Sequence, residues 1–349
     1  MRFQFDPRSD ATAWREASDA QTRSAPLADR FGRSKRKLRL SLTDRCNFRC
    51  GYCMPEEPEW VPRSQLLSYE ELHNLAGLFV RRMGVDAIRV TGGEPLMRRG
   101  VVEFIRRLRS LRGQGLDRVS MTTNAALLER HAAGLVAAGL DDVNISIDSL
   151  DPERFRSMTG GGELEPVLRG IRAARDAGLP AKLNAVVIRD TNEDDILPLA
   201  HWAASEGVPL RFIEFMPLDG RGGWQPERVV PERDMVAALE QEFTVERLPR
   251  TREPATYYRL DGQFMLGIIS TVSNPFCGSC DRVRVTATGE LYPCLFSPVC
   301  SDLKGPLRAG ADEPELERII RGGVWRKGKG FQETQGYVER TISMHGLGG

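Results

Sequence analysis

The chain has 349 residues, 41% of them hydrophobic and 28% charged, the balance of an ordinary globular protein rather than a disordered, collagenous or membrane chain. At roughly 150 residues per domain, this length suggests two domains, or one large barrel with an appendage. Lys plus Arg number 49 against 48 Asp plus Glu, so net charge argues for neither nucleic-acid nor membrane-surface binding, and no apolar run reaches the roughly 18 residues of a membrane span.

Residues 1–35 mix Arg, Asp, Ser and Ala without apolar periodicity and read as a flexible leader. This leader has no hydrophobic signal core, and Asp6, Asp10, Glu16, Asp19 and Asp29 do not suit a transit peptide, so a cytoplasmic location is expected. Over residues 36–218, β-like runs at 38–43, 87–91, 119–123, 143–148, 182–188 and 210–216 alternate with helix-like stretches at 68–83, 101–111, 125–138, 165–177 and 193–205. Such alternation predicts parallel βα units. Six units without a dinucleotide fingerprint give an α/β fold, a partial (β/α)6 TIM-like barrel. Beyond Met216 the rhythm stops. A Gly-rich loop at 220–223, a helix-like segment at 232–243 and hairpin-like stretches at 257–269 and 283–291 predict an α+β extension over residues 219–349. The Gly-rich segments at 160–162 and 220–223 lack the Lys-Ser/Thr ending of a P-loop and read as ordinary loops.

Strand parity carries more information, because alternate side chains share a face. One face is repeatedly polar: Arg39, Ser41 and Thr43; Arg89 and Thr91; Ser120, Thr122 and Asn124; Asn144, Ser146 and Asp148; Lys182 and Asn184; Arg211. The other carries Leu38, Leu40, Leu42, Ile88, Val90, Val143, Ile145 and Ile147. With helices covering the apolar face, the polar set lines the interior, whereas a closed, fully packed barrel would hold branched apolar residues there. The expectation is an open barrel whose lumen binds an anion, since buried cations without partners are costly. Met216 has the opposite parity to Arg211, so both point inward only if the strand ends or bulges between them. Taken singly, each of these cations also fits a surface position on a strand.

Seven cysteines fall into two triplets and one remainder: Cys46, Cys50 and Cys53; Cys277, Cys280 and Cys294; and Cys300. An odd count argues against a disulfide framework. The first triplet has C-x3-C-x2-C spacing at the C-terminal end of the first strand, where barrels place active sites. Three thiolates on one short loop hold three irons of a 4Fe-4S cluster and leave the fourth iron open. A zinc site with a distant fourth ligand is the alternative. The second strand ends in Thr91-Gly92-Gly93-Glu94-Pro95, with two glycines that permit close backbone approach to a ligand and a carboxylate suited to an ammonium. His73, His131, His201 and His345 show no metal spacing and read as surface or helix residues.

The cysteine loop with Gly-Gly-Glu-Pro resembles the radical S-adenosylmethionine (SAM) enzymes. Residues 276–296, with 29–54 and the terminal Gly348-Gly349, resemble more closely the MoaA family of GTP 3′,8-cyclases of molybdenum cofactor biosynthesis, over nearly the whole chain from about Leu27. The resemblance implies two 4Fe-4S clusters, SAM contacts at Tyr52, Gly93, Glu94, Ser146 and Met216, and GTP contacts at Arg39, Arg89, Thr122, Lys182, Arg211, Arg282 and Arg284. Arg282 and Arg284, two apart in a strand-like run, share a face. It implies a lyase in which a 5′-deoxyadenosyl radical takes hydrogen from C3′ of GTP, giving (8S)-3′,8-cyclo-7,8-dihydroguanosine 5′-triphosphate, with no side chain needed as acid or base. A flavodoxin- or ferredoxin-like reductant, a downstream cyclic pyranopterin monophosphate synthase, and a monomer or homodimer follow from it, as does a Gly-Gly tail that reaches the active site although its seven residues look too small and flexible to pack. By spacing alone Cys300 fits a fourth ligand of the second triplet, but the family pattern needs only three, so it reads as a bystander. Ala87 stands where many members have Lys, thinning the phosphate field, and Ala125 replaces a Gly, which matters only if that position needs a positive φ. A radical SAM enzyme acting on a peptide is the rival within the class, although such enzymes usually carry more than three C-terminal cysteines; outside the class it is a zinc-binding structural or nucleic-acid module.

Overall fold

The computed structural model describes residues 25–218, 223–331 and 342–348. Strands β1 (Lys37–Ser41), β2 (Ala87–Thr91), β3 (Arg118–Thr123), β4 (Asp142–Ser146), β5 (Ala181–Val187) and β6 (Leu210–Glu214) are parallel neighbours in chain order. Helices α1 (Tyr69–Met83), α2 (Val101–Arg109), α3 (Ala132–Ala138), α4 (Pro152–Met158), α5 (Leu164–Asp176) and α6 (Ile196–Glu206) connect them. In α1, Ser68 and Glu71 form a reciprocal capping box and Gly84 ends the helix at φ 70°. Between those stops Leu72, Leu75, Ala76, Phe79 and Met83 recur at helical spacing and are buried. They meet the apolar strand face of Leu38, Leu40, Ile88 and Val90, all wholly buried. Each such Leu, Ile or Phe contributes about 2 kcal/mol through burial. A one-residue slip in any strand would exchange this face for the charged one.

The segment after β6 builds no sheet of its own. It supplies α7 (Glu232–Leu239), β7 (Val245–Arg247), β8 (Thr256–Leu260), β9 (Phe264–Ile269), β10 (Arg282–Val285), β11 (Glu290–Tyr292), β12 (Ser301–Asp302), α8 (Lys304–Arg308), α9 (Glu313–Trp325) and α10 (Met344–Leu347). β9 pairs in parallel with β6 and β10 in parallel with β1, while β8 and β7 extend one edge and β11 and β12 the other. β1 and β6 therefore never meet, and the barrel stays open.

Several expectations shift. Of the leader, residues 1–24 lie outside the described residues, but Leu27 and Lys35 are fully or almost fully buried, so the chain packs well before residue 36. The helix placed at 125–138 begins only at Ala132, because Ala125 adopts φ 61° and a 3-10 turn intervenes at Leu128–Arg130. β6 ends at Glu214, two residues before Met216, which frees Met216 from strand parity. α4 and α9 went unread. Asp151 caps α4 and Asp312 caps α9, each with Pro in the first turn. Of the Gly-rich loop at 220–223, residues 220–222 lie outside the described residues.

Candidate active site

The loop carrying Cys46, Cys50 and Cys53 is fixed from three directions. Gly93 N–H donates to the Thr43 carbonyl at 2.7 Å and Glu94 N–H to that of Arg45 at 2.8 Å. A Cβ on Gly93 would collide with the carbonyls of Asp44 and Arg45, so this glycine permits approach to the cysteine loop as well as to a ligand. From the far side, Arg49 N–H donates to Thr159 at 2.8 Å, and Gly160 and Gly162 leave no room for a Cβ against Arg49 and Phe48. The segment read as a plain loop thus buttresses the cysteines. From the C-terminus, His345 N–H donates to the Cys53 carbonyl at 3.4 Å and its ring packs edge-on to Trp60. His345, on α10, and Leu347 are buried, correcting the expectation of a tail too small and flexible to pack. The Gly348 carbonyl accepts from Arg39 at 3.4 Å, and Gly348 lies against Ser41 and Thr91. Gly349 lies outside the described residues.

Glu94 is fully buried and both its oxygens are taken. Oε1 accepts from Leu96 N–H at 3.0 Å and Thr123 Oγ1 at 2.8 Å, and Oε2 from Asn124 N–H at 2.7 Å. Its side chain ties the end of β2 to the end of β3 and does not line the cavity, whereas the backbone of Gly92 and Gly93 does. Burial, against these three donors, pushes the carboxyl up to about 7. Tyr52 donates to Asp148 Oδ2 at 2.6 Å and Val186 N–H to Oδ1 at 2.9 Å. Burial, and then the Cys53 thiol, the Asp148 carboxylate and the Cys46 thiol, push Cys50 well above its ordinary value. Burial likewise pushes Cys46 up to about 11 and Cys53 up to about 12. Three desolvated thiols on one wall become thiolates only beside strong positive charge, which an iron-sulfur core supplies.

One cavity of about 440 Å³ joins these thiols to the polar strand face. Arg39, Arg89, Thr122, Lys182, Arg211, Arg282 and Arg284 all line it, as do Tyr52, Gly93, Ser146, Asp148 and Met216. Ser41 and Thr43 have the same parity but are buried outside its lining, among the loops at the strand ends. Sheet register explains the layout. Arg284, Arg39 and Arg89 are successive partners across β10, β1 and β2, as are Thr122, Asn144 and Lys182 across β3, β4 and β5. The cations thus lie back along the strands and the thiols at their C-terminal ends. Burial, then Arg284, Arg89, Arg282 and Arg211, hold Arg39 well below its ordinary value. Burial, partly offset by Asp142, lowers Arg89 to about 10. Among the described residues, the buried Thr122 Oγ1 and Asn144 Oδ1 have no hydrogen-bond partner. A cradle of crowded cations and orphaned polar atoms fits a polar polyanion.

The sequence reading missed Lys37, Arg118, Glu253 and Tyr257, which also line the cavity. Lys37 and Arg118 flank Ala87 across the sheet, so the position where Lys was expected has a cation on either side. Glu253 pairs with Lys37 at 3.1 Å.

The second triplet does not line this cavity. Phe276, beneath the Arg282 guanidinium at 4.7 Å, and Leu295 do, so the segments bearing these cysteines border it. Arg33 donates to the Cys277 carbonyl at 2.9 Å and Lys35 to that of Cys280 at 2.7 Å. Gly330 leaves no room for a Cβ against Cys277. Burial raises the Cys280 thiol, but Arg282 and Lys327 bring it down to about 6. Cys294 and Cys300 both line a separate cavity of about 340 Å³. Among the described residues no three or more His, Cys, Asp or Glu side chains are grouped as one bound ion would require. A four-iron cluster spreads its ligands over separate irons.

Two family models divide the chain, Radical SAM superfamily over residues 40–203 and Molybdenum Cofactor Synthesis C over residues 208–333. A GTP 3′,8-cyclase of Paracoccus denitrificans is 44% identical over 92% of this chain and 94% of its own length. The chain belongs to the GTP 3′,8-cyclase family. Another member, from Corynebacterium glutamicum, is 43% identical over 93% of this chain and 89% of its own. Among solved structures, Streptococcus suis SuiB bound to its precursor peptide matches with a TM-score of 0.58 at 12% identity, covering 91% of this chain and 71% of that one. An AdoMet-bound anSMEcpe matches at 0.53 and 17% identity over 75% of each chain. At these identities the likeness is one of fold: a radical SAM partial barrel with a C-terminal extension. This family therefore has here both its fold and a cavity that joins the cysteine loop to the cations.

Proposed function

We propose that this protein converts GTP to (8S)-3′,8-cyclo-7,8-dihydroguanosine 5′-triphosphate, the first step of molybdenum cofactor biosynthesis. The observation that carries the proposal is the single cavity with three thiols at one pole and six substrate-side cations at the other. Cys46, Cys50 and Cys53 would hold one 4Fe-4S cluster, and Cys277, Cys280 and Cys294 a second. The first, with SAM bound, would supply the radical chemistry for removing hydrogen from C3′ of the ribose.

The chain's own residues bind, orient and exclude water. Arg39, Arg89 and Lys182 hold the triphosphate, Arg211 and Thr122 adding to that wall, and guanidinium forks suit phosphate oxygens better than point charges. Arg282 and Arg284 hold the base end. The backbone of Gly93 with Tyr52, Ser146 and Met216 receives SAM, while Glu94 keeps the Gly92-Gly93 turn in shape. The C-terminal tail covers the strand ends beside Arg39. Fixing two reactants in one enclosed geometry replaces a bimolecular encounter with a unimolecular one. A soluble low-potential reductant and a downstream enzyme that rearranges the cyclised nucleotide complete the scheme, and a cytoplasmic setting suits it. No described helix is long and apolar enough to cross a membrane.

The test is anaerobic reconstitution followed by SAM, dithionite and GTP. The expected products are 5′-deoxyadenosine and an isomer of GTP with equal mass and altered retention. Formation of 5′-deoxyadenosine without that isomer would reject GTP as substrate and leave the enzyme class intact.

A further inference from the structure

The two cysteine sites differ in the charge built around them. Lys327, just beyond α9, is 2% exposed. Its ammonium donates to Cys280 Sγ at 3.3 Å and to the Arg282 carbonyl at 3.2 Å. Among the described residues these are its hydrogen-bond partners, and neither is a carboxylate. An ammonium so buried is costly unless it faces negative charge, and the sulfur of Cys280 is the group placed to carry it. Nearby Lys35 is wholly buried too, but Asp29 matches its charge at 2.8 Å. Arg282 and Arg284 stand on the strand that follows Cys280. Around the first triplet the donors to sulfur are neutral: Phe48 N–H at 3.4 Å and the Asn124 amide at 3.7 Å from Cys46 Sγ. Among the described residues, the ionisable groups buried beside it are the carboxyls of Asp44, Glu94 and Asp148 and the His345 imidazole.

We infer that Lys327 raises the reduction potential of an iron-sulfur cluster on Cys277, Cys280 and Cys294, so that the second site accepts an electron before the first. The inference rests on the reading that the second triplet holds such a cluster. One-electron reduction adds one negative charge and breaks no protein bond. A cationic donor to a ligating sulfur favours the more negative state, whereas neutral donors and nearby carboxylates favour it less. Lys327 acts through Cys280 and is a positioning residue, with no contact to substrate.

The test is a redox-poised titration of the full reconstituted chain, with dithionite as electron source and electron paramagnetic resonance as readout. Wild type is compared with Lys327→Met and Lys327→Arg, and a Cys277→Ser chain marks the signal of the second site. In wild type that signal is expected at higher potential than the other. Lys327→Met is expected to keep its iron and to weaken reduction of the second site about tenfold, a fall of ~59 mV for one electron; Lys327→Arg restores most of it. An unchanged midpoint in Lys327→Met at full iron content overturns the inference. So does a wild-type second site that is reduced after the first, a result that requires no variant to fold. If Cys277→Ser leaves the iron content unchanged, it is the cluster reading that fails.

Discussion

The Glu94 carboxylate has no exposure to solvent, and burial lifts it from 4.5 to about 7. Between those values the folded chain holds a proton that the unfolded chain has released. Stability therefore falls as pH rises through the window, by ~1.4 kcal/mol per pH unit from this group. Glu94→Gln, neutral throughout, should remove that part of the slope. Thermal melts of the metal-free chain from pH 4.5 to 7.5 check this, and an equal slope in both proteins would contradict it. At the same scale, Ala125 shows what a sequence can flag without deciding. The missing glycine is visible, but its meaning hangs on the observed φ of 61°, and that depends on the turn between β3 and α3.

Elements were legible where packing imposes a period. All six parallel strands lie within two residues of their expected limits, because one face meets helices and the other meets the cavity. The same parity, carried two residues back from Arg39 and Ser120, would have found Lys37 and Arg118; both sit at strand starts, where apolar alternation has not yet begun. Glu253 precedes β8 in a segment with no period, and nothing local marks it. The Asp-Pro and Asp-x-Pro starts of α4 and α9 were present but unread. What no local pattern holds is the docking of one loop on another. Gly93, Gly160 and Gly162 press on the first cysteine loop from two sides. Gly93→Ala should therefore displace that loop and lower iron by about four atoms per chain after reconstitution. The second site should keep its own iron. Iron and sulfide analysis decides, and full iron in Gly93→Ala would show that the loop tolerates the displacement.

Over the whole molecule, near-zero net charge hides a local excess: among the described residues, eight Lys and Arg line the cavity against two carboxylates, Asp148 and Glu253. Among the described residues Arg39 has no ion-pair partner, and Arg89, Arg211, Arg282 and Arg284 all disfavour its charge. Arg39→Met should accordingly raise the melting temperature of the ligand-free chain while reducing the rise that tripolyphosphate produces in wild type. A variant less stable than wild type, yet stabilised equally by the anion, would show that Arg39 has another role. That one C-terminal segment flanks this open, charged lumen on both sides lies beyond local pattern, since β9 joins the sheet beside β6 and β10 beside β1. The reaction itself is tested most directly with GTP carrying deuterium at C3′. Deuterium in the 5′-deoxyadenosine released, together with the isomer of GTP, is the predicted result; deoxyadenosine free of deuterium would contradict the account.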